Sequence, residues 1–201
     1  MEPGIVQELV DAGTLRTPAI IAAFKAIDRA DFVPEEMLDI AYVDSALPLG
    51  HGSTISQPST VAFMLELLQP EEGQSILDVG AGSAWTTAML MHIVQSGRVV
   101  ATEIVPQIAE FGTRNLQKYY PLRAIRVTAK LGAPEDSPFD RILVSAAADG
   151  VPQELIEQLR VGGRMVIPVQ GSIVKVDRVS ESYYRTEEYP GFLFVPLRGN
   201  T

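Results

Sequence analysis

The chain has no cysteine. That excludes disulfides and thiolate metal sites and fits a reducing cytoplasm. Histidine is almost as scarce, with only His51 and His92. A zinc site needs about three or four protein ligands, so cysteine and histidine cannot build one here, and no metal is expected. A Ser-His-Asp hydrolase is equally ill served. Ser83 has Ala81 and Trp85 where a nucleophile elbow needs glycine. His92 is expected on a helix, in a surface or packing role. No run of roughly 18 apolar residues occurs, so no membrane span is expected. The acidic N-terminus lacks the basic and apolar regions of a secretory signal. Basic charge is also in deficit, with 16 Lys and Arg against 25 Asp and Glu and a net charge of −9. Neither nucleic acid nor an anionic membrane is therefore an expected partner.

What remains is an ordinary globular composition of 201 residues, 46% hydrophobic and 20% charged. This length supports one domain with a full core. Residues 1–57 are expected to supply N-terminal helices and a loop, and residues 58–201 an α/β core. Thr17-Pro18 reads as a cap and first-turn proline, followed by Ile20, Ile21, Phe24 and Ile27 at helical spacing. Residues 47–58 read as a polar loop punctuated by Gly and Pro, and Pro58 opens an apolar helix.

Strands and helices then alternate. Strands are expected at 75–79, 99–103, 125–128 and 142–146, with helices at 83–94, 106–118 and 152–159. Gly162-Gly163 reads as a turn into a strand at 165–169. Residues 173–179 and 192–197 read as a closing antiparallel pair. Such alternation implies a mainly parallel sheet with helices on both faces and an antiparallel edge.

One stretch carries chemistry directly. Ile76-Leu77-Asp78-Val79 runs into Gly80-Ala81-Gly82-Ser83, and Glu103 closes the next apolar run about 20 residues on. Glycines let a backbone approach a nucleotide cofactor, and an acid at that interval holds ribose hydroxyls. The pattern does not name the cofactor, and each part has a plainer reading. The glycines can serve only a tight turn, and Glu103 can be an acid near a helix start. The loop Gly50–Pro58 is richer in hydroxyls and glycine than a connection requires, although Ser and Thr also serve turns and caps.

The sequence resembles the protein-L-isoaspartate O-methyltransferases. The matching stretches run in family order along nearly the whole chain. They are Phe32-Val33-Pro34, Ala41-Tyr42 with Asp44, Leu47-Pro48-Leu49-Gly50, Thr54-Ile55-Ser56-Gln57-Pro58, Leu77–Ser83, Pro138–Ile142, Gln158-Leu159 with Gly162-Gly163-Arg164, and Phe194-Val195-Pro196-Leu197. The resemblance implies a Rossmann-like S-adenosylmethionine methyltransferase sheet preceded by a helical region. It implies methyl transfer from S-adenosylmethionine to the α-carboxyl of L-isoaspartyl residues in damaged proteins and peptides. It assigns Ser56 to the active site, with Ser53, Thr54, Ile55 and Ser56 lining the cofactor. Gly80, Gly82 and Ser83 would border its methionine part, Glu103 its ribose, and Thr128 and Ala129 its adenine end, with Asp78 also counted among the cofactor-binding residues. A carboxylate acceptor is ionised at neutral pH, so a missing catalytic histidine is no objection. Nothing in the sequence requires an oligomer, and a monomer is expected.

The chain departs from the family pattern in four places. Val127-Thr128-Ala129 stands where the family has Gly-Asp-Gly, and Ala84 replaces a glycine. Ser53 stands where glutamine is common, and Val169–Ser172 shortens a Gly-rich loop. These changes leave three readings open: an active repair methyltransferase, a methyltransferase for a different carboxylate, or a non-catalytic binding or regulatory homologue. A nicotinamide dehydrogenase on the same turn is opposed by the motifs outside it.

Overall fold

The structure is a computed structural model describing residues 3–198. Helices α1 (Pro3–Asp11) and α2 (Pro18–Ala26) lead into two 3-10 turns, Arg29–Phe32 and Glu35–Ile40. Strands β1 (Leu47–Gly50) and β2 (Ser53–Ile55) follow, then α3 (Pro58–Leu68). The alternating part comprises β3 (Ser75–Val79), α4 (Trp85–Val94), β4 (Arg98–Glu103), α5 (Pro106–Gln117) and β5 (Arg126–Val127). It continues through β6 (Phe139–Val144), α6 (Gln153–Gln158), β7 (Leu159–Val169), β8 (Ser172–Arg178) and β9 (Tyr184–Pro190). Among the described residues, no helix is long and apolar enough to cross a membrane.

The sheet has the order β5-β4-β3-β6-β7-β8-β9. It is parallel from β5 to β7 and antiparallel at β8 and β9. The chain steps outward from β3 to β5, then returns to the other side of β3. Ligands in such sheets bind at that reversal, beyond the carboxyl ends of the strands. The period of two along each strand divides the core. Ile76, Leu143, Val166 and Ile173 join the layer with α1–α5, while Leu77, Ile142, Met165 and Val174 join the layer with α6. The sheet and its covering helices are those of the Rossmann-like methyltransferase fold.

Several sequence expectations are corrected. Residues 47–58 are not only loop. They hold the β1–β2 hairpin, turned at His51 (φ 50°) and Gly52 (φ 74°), since two successive positive-φ residues make the tight turn whose twist suits a hairpin. Thr17 occupies the N-cap position of α2 as expected, but its side chain makes no capping hydrogen bond. Its hydroxyl donates instead to Glu66 Oε2 at 2.7 Å, which also ties the α1–α2 connection to α3. The helix expected from Ser83 starts at Trp85, because Ala84 adopts φ 70°. Gly162-Gly163 lies inside β7, which runs continuously from Leu159 with a register irregularity rather than a turn.

The larger correction concerns the C-terminus. Residues 192–197 are not the partner of β8; β9 is. β9 is exposed at nearly every residue, so it carries no buried period to read. Residues 192–197 instead form a strap over the strand ends. Ala147 N donates to Val195 O at 2.8 Å, and Leu197 N donates to Ala147 O at 2.7 Å. Pro196, between them, has no N–H to offer a ladder.

Candidate active site

β3 is buried from Ile76 to its last residue, Val79, so it delivers the glycine turn to the strand-end crevice. Gly80 has φ 75° and Gly82 φ 56°. Positive φ is cheap only for glycine, which explains both residues. Gly80 N and Ala81 N donate to Thr102 O at 2.9 and 3.0 Å, locking the turn onto β4. Helix α5 backs the turn at Gly112. A Cβ there would lie 2.3 Å from Gly82 O, so only glycine permits the approach.

Glu103 ends β4 and is 7% exposed. Its Oε1 accepts from Ile104 N at 2.8 Å and Val105 N at 3.1 Å, and its Oε2 accepts from Gly82 N at 3.1 Å. Three of roughly four acceptor sites of the carboxylate are thus filled. The residue still lines the cleft, so one acceptor site is left for a ligand hydroxyl.

Two clefts meet here. The first is bordered by Ser53, Thr54, Gly80, Gly82, Glu103 and Thr128. The second is bordered by Thr54, Ser56, Gln57 and Thr60, with the strap at Phe194. Thr54, Ser145 and Val195 border both. Asp44 braces the loop beside the second cleft, its Oδ1 accepting from Ser59 N at 2.8 Å and its Oδ2 from Gln57 Nε2 at 3.2 Å.

The expected site residues therefore divide. Ser53, Thr54, Gly80, Gly82, Glu103 and Thr128 gather on the first cleft, while Ser56 borders the second. Ile55, Asp78, Ser83 and Ala129 border neither. Ile55 is packed in the core. Ser83 is buried, its carbonyl accepting from Asn115 Nδ2 at 3.4 Å. Ala129 is exposed beyond β5.

Asp78 sits on the face of β3 turned toward α4. Its Oδ2 accepts from Thr87 Oγ1 at 2.6 Å, and its Oδ1 has no partner. Burial pushes its pKa from 3.8 up to about 6, with Thr87 opposing and Glu103 adding to the rise. Thr128 N donates to Glu103 O at 3.1 Å, and Thr128 Oγ1 accepts from Lys130 N at 3.0 Å. Among the described residues, no carboxylate but that of Glu103 borders the cleft.

Other lining residues had escaped sequence reasoning. Ser145 and Ala146 directly follow β6, and their place beside the sheet reversal was a usable signal. Lys130 and Arg198 had no local signal, and Val195–Leu197 stood out only as part of a family stretch with no role attached. Arg198 crosses to the hairpin, its Nη2 lying 2.8 Å from where a Gly52 Cβ would stand.

The sequence profile of the family described as protein-L-isoaspartate(D-aspartate) O-methyltransferase matches residues 2–201. A protein-L-isoaspartate O-methyltransferase of Methanopyrus kandleri is 41% identical over 97% of this chain and 90% of its own length. One from Pelobacter propionicus is 39% identical over 97% of this chain and 88% of its own. Among solved structures, a Plasmodium falciparum protein assigned to the same activity and solved with S-adenosyl-L-homocysteine superposes with a TM-score of 0.86. It is 21% identical, with 98% of each chain covered.

Proposed function

The chain belongs to the protein-L-isoaspartate(D-aspartate) O-methyltransferase family, and we propose that it methylates the α-carboxyl of L-isoaspartyl residues with S-adenosylmethionine as donor. The observation that carries this reading is the pair of clefts sharing Thr54, Ser145 and Val195. A donor in one and an acceptor in the other would react across that shared border.

The residues of the first cleft fit the donor. The positive-φ glycines keep the backbone clear of side chains where the methionine part would lie, and Glu103 retains an acceptor site for a ribose hydroxyl. Ser53 and Thr54 supply hydroxyls from the hairpin, and Thr128 supplies one at the adenine end. When bound, S-adenosylmethionine supplies a sulfonium methyl group open to attack by an oxygen nucleophile.

The chain's own task is then positioning. An α-carboxyl is already ionised at neutral pH, so no general base is required. Ser56 orients that carboxylate by donating a hydrogen bond. The hairpin and the strap restrict water at the shared border, which leaves the nucleophile less solvated. Holding the partners in line accounts for most of the rate. With the donor bound, its sulfur–methyl bond would be exchanged for a carboxyl oxygen–methyl bond, leaving a neutral thioether and a neutral ester.

The protein is read as a cytoplasmic monomer acting on isoaspartyl proteins and peptides, not on nucleic acid or membranes. Transfer of labelled methyl to an isoaspartyl peptide, beside its aspartyl counterpart, tests the function. Labelling of the isoaspartyl peptide alone is expected. Equal labelling of both would reject the specificity. Absence of labelling together with undetectable S-adenosylhomocysteine binding would reject the enzyme reading.

A further inference from the structure

Arg29 has no place in the chemistry above, yet its side chain is wholly buried. It opens the 3-10 turn after α2. Its Nη1 donates to Ala41 O, and its Nη2 donates to Ser45 O at 3.0 Å and Ser56 O at 3.1 Å. Its guanidinium carbon lies 5.4 Å from the ring centroid of Trp85. Nε has no partner. Burial pulls the pKa down to about 10, with Asp44 opposing, so the group is charged at neutral pH.

Burying a charge against main-chain carbonyls alone is a poor way to gain stability, because an apolar side chain of similar volume avoids the desolvation. The acceptors suggest another purpose. All three belong to residues 41–56, the segment that holds the β1–β2 hairpin and ends at Ser56. A planar fork with five donors can reach three divergent carbonyls, which a lysine point charge cannot. On its other side Arg29 touches Trp85, the first residue of α4 after the glycine turn. One side chain thus joins the main chain of Ser56 at the second cleft to the helix that fixes the first.

We propose that Arg29 is a positioning residue for methyl transfer, holding Ser56 in register with the glycine turn across the border of the two clefts. The proposal rests on the functional reading above. It calls for a specific division of effects when the fork is removed. The glycine turn and Glu103, which would hold the donor, follow β3 and end β4, neither of which Arg29 hydrogen-bonds, and the hairpin adds only Gly52, Ser53 and Thr54 to that cleft, so donor binding should largely survive. The alignment of acceptor with donor should not.

The test compares wild type with Arg29→Lys, which retains charge and length. For each, kcat and KM are measured with an isoaspartyl peptide, and S-adenosylhomocysteine affinity by calorimetry. A misplacement near 1 Å at the reacting groups costs on the order of 10²-fold. The expected result is a fall of that order in kcat, with S-adenosylhomocysteine affinity within about threefold of wild type. If Arg29→Lys does not fold, Arg29→Ala is measured in millimolar guanidinium chloride against equal sodium chloride, and recovery of kcat by guanidinium alone is expected. Unchanged kcat in a folded Arg29→Lys would overturn the positioning role. So would a parallel loss of kcat, cofactor affinity and melting temperature, or the absence of guanidinium rescue. A wild-type protein that binds S-adenosylhomocysteine but methylates no isoaspartyl peptide would overturn the functional reading and this proposal with it.

Discussion

Replacing Gly112 by alanine sets two physical effects against each other. Gly112 lies inside α5, where helix propensity alone makes alanine better by about 1 kcal/mol. The tertiary structure reverses the sign. The new Cβ would stand 2.3 Å from Gly82 O, 2.5 Å from Ile125 Cδ1 and 3.2 Å from Ser83 C. Ile125 can rotate its terminal methyl away, but the carbonyl of the glycine turn cannot leave without moving the turn. Relaxed carbon–oxygen contacts are about 3.3–3.6 Å, so helix and turn must separate by roughly 1 Å. Overpacking of this kind costs about 1–3 kcal/mol, so the net change after the propensity gain is a loss of up to about 2 kcal/mol. For a chain of this size that lowers the melting temperature by up to roughly 8 °C. Because the displaced carbonyl belongs to the cofactor turn, S-adenosylhomocysteine affinity should fall by about tenfold, equivalent to 1.4 kcal/mol. Gly4 in α1 is the control, since a Cβ there meets nothing within 4 Å. Gly4→Ala should hold or raise stability by up to about 1 kcal/mol. Thermal melting and calorimetry read both variants. A Gly112→Ala protein that melts higher than wild type with unchanged ligand affinity would refute the close approach of α5 to the turn.

Three further outcomes are expected. Ser56→Ala should lower kcat by about 10- to 100-fold, the worth of a hydrogen bond to a charged group, and leave S-adenosylhomocysteine affinity unchanged; unchanged turnover would remove Ser56 from its role. Thr128→Asp should tighten S-adenosylhomocysteine by about 1–2 kcal/mol, since a carboxylate is a stronger acceptor for a base amino group than a hydroxyl, and weaker binding in calorimetry would show that the adenine does not lie there. Asp78 governs a pH dependence. Its folded pKa, about 6, lies above its ordinary 3.8, so the native state keeps the proton longer than the unfolded chain. Its contribution therefore declines as pH rises from about 4 to 6 and is level above, by at most about 3 kcal/mol. Asp78→Asn should lose this slope in urea titrations across that range, and parallel wild-type and variant curves would contradict the assignment.

Much of the fold is legible locally. Runs such as Ser75–Val79 and the prolines at the start of α2, α3 and α5 mark elements within a residue or two, because buried runs and proline's missing N–H act on near neighbours. The failures have a common cause. β9 carries exposed polar residues at a sheet edge, and Phe192–Leu197 carries apolar residues without being a strand. In both, hydrophobic pattern and backbone pairing are uncoupled. The family motif behaves in the same way, since Ile55 and Asp78 lie within its recognisable stretches but turn into the core.

By itself the sequence determined the strand-to-glycine turn, the acid at Glu103 and the family, since each is written in contiguous residues whose backbone needs are local. Only the tertiary structure decided that Ser56 borders a second cleft, that Val195–Arg198 spans the first, that Gly112 must lack a side chain, and that Arg29 holds the hairpin segment. Those relations join residues far apart in the chain. Packing creates them, and no local spacing encodes which carbonyl a buried guanidinium will meet.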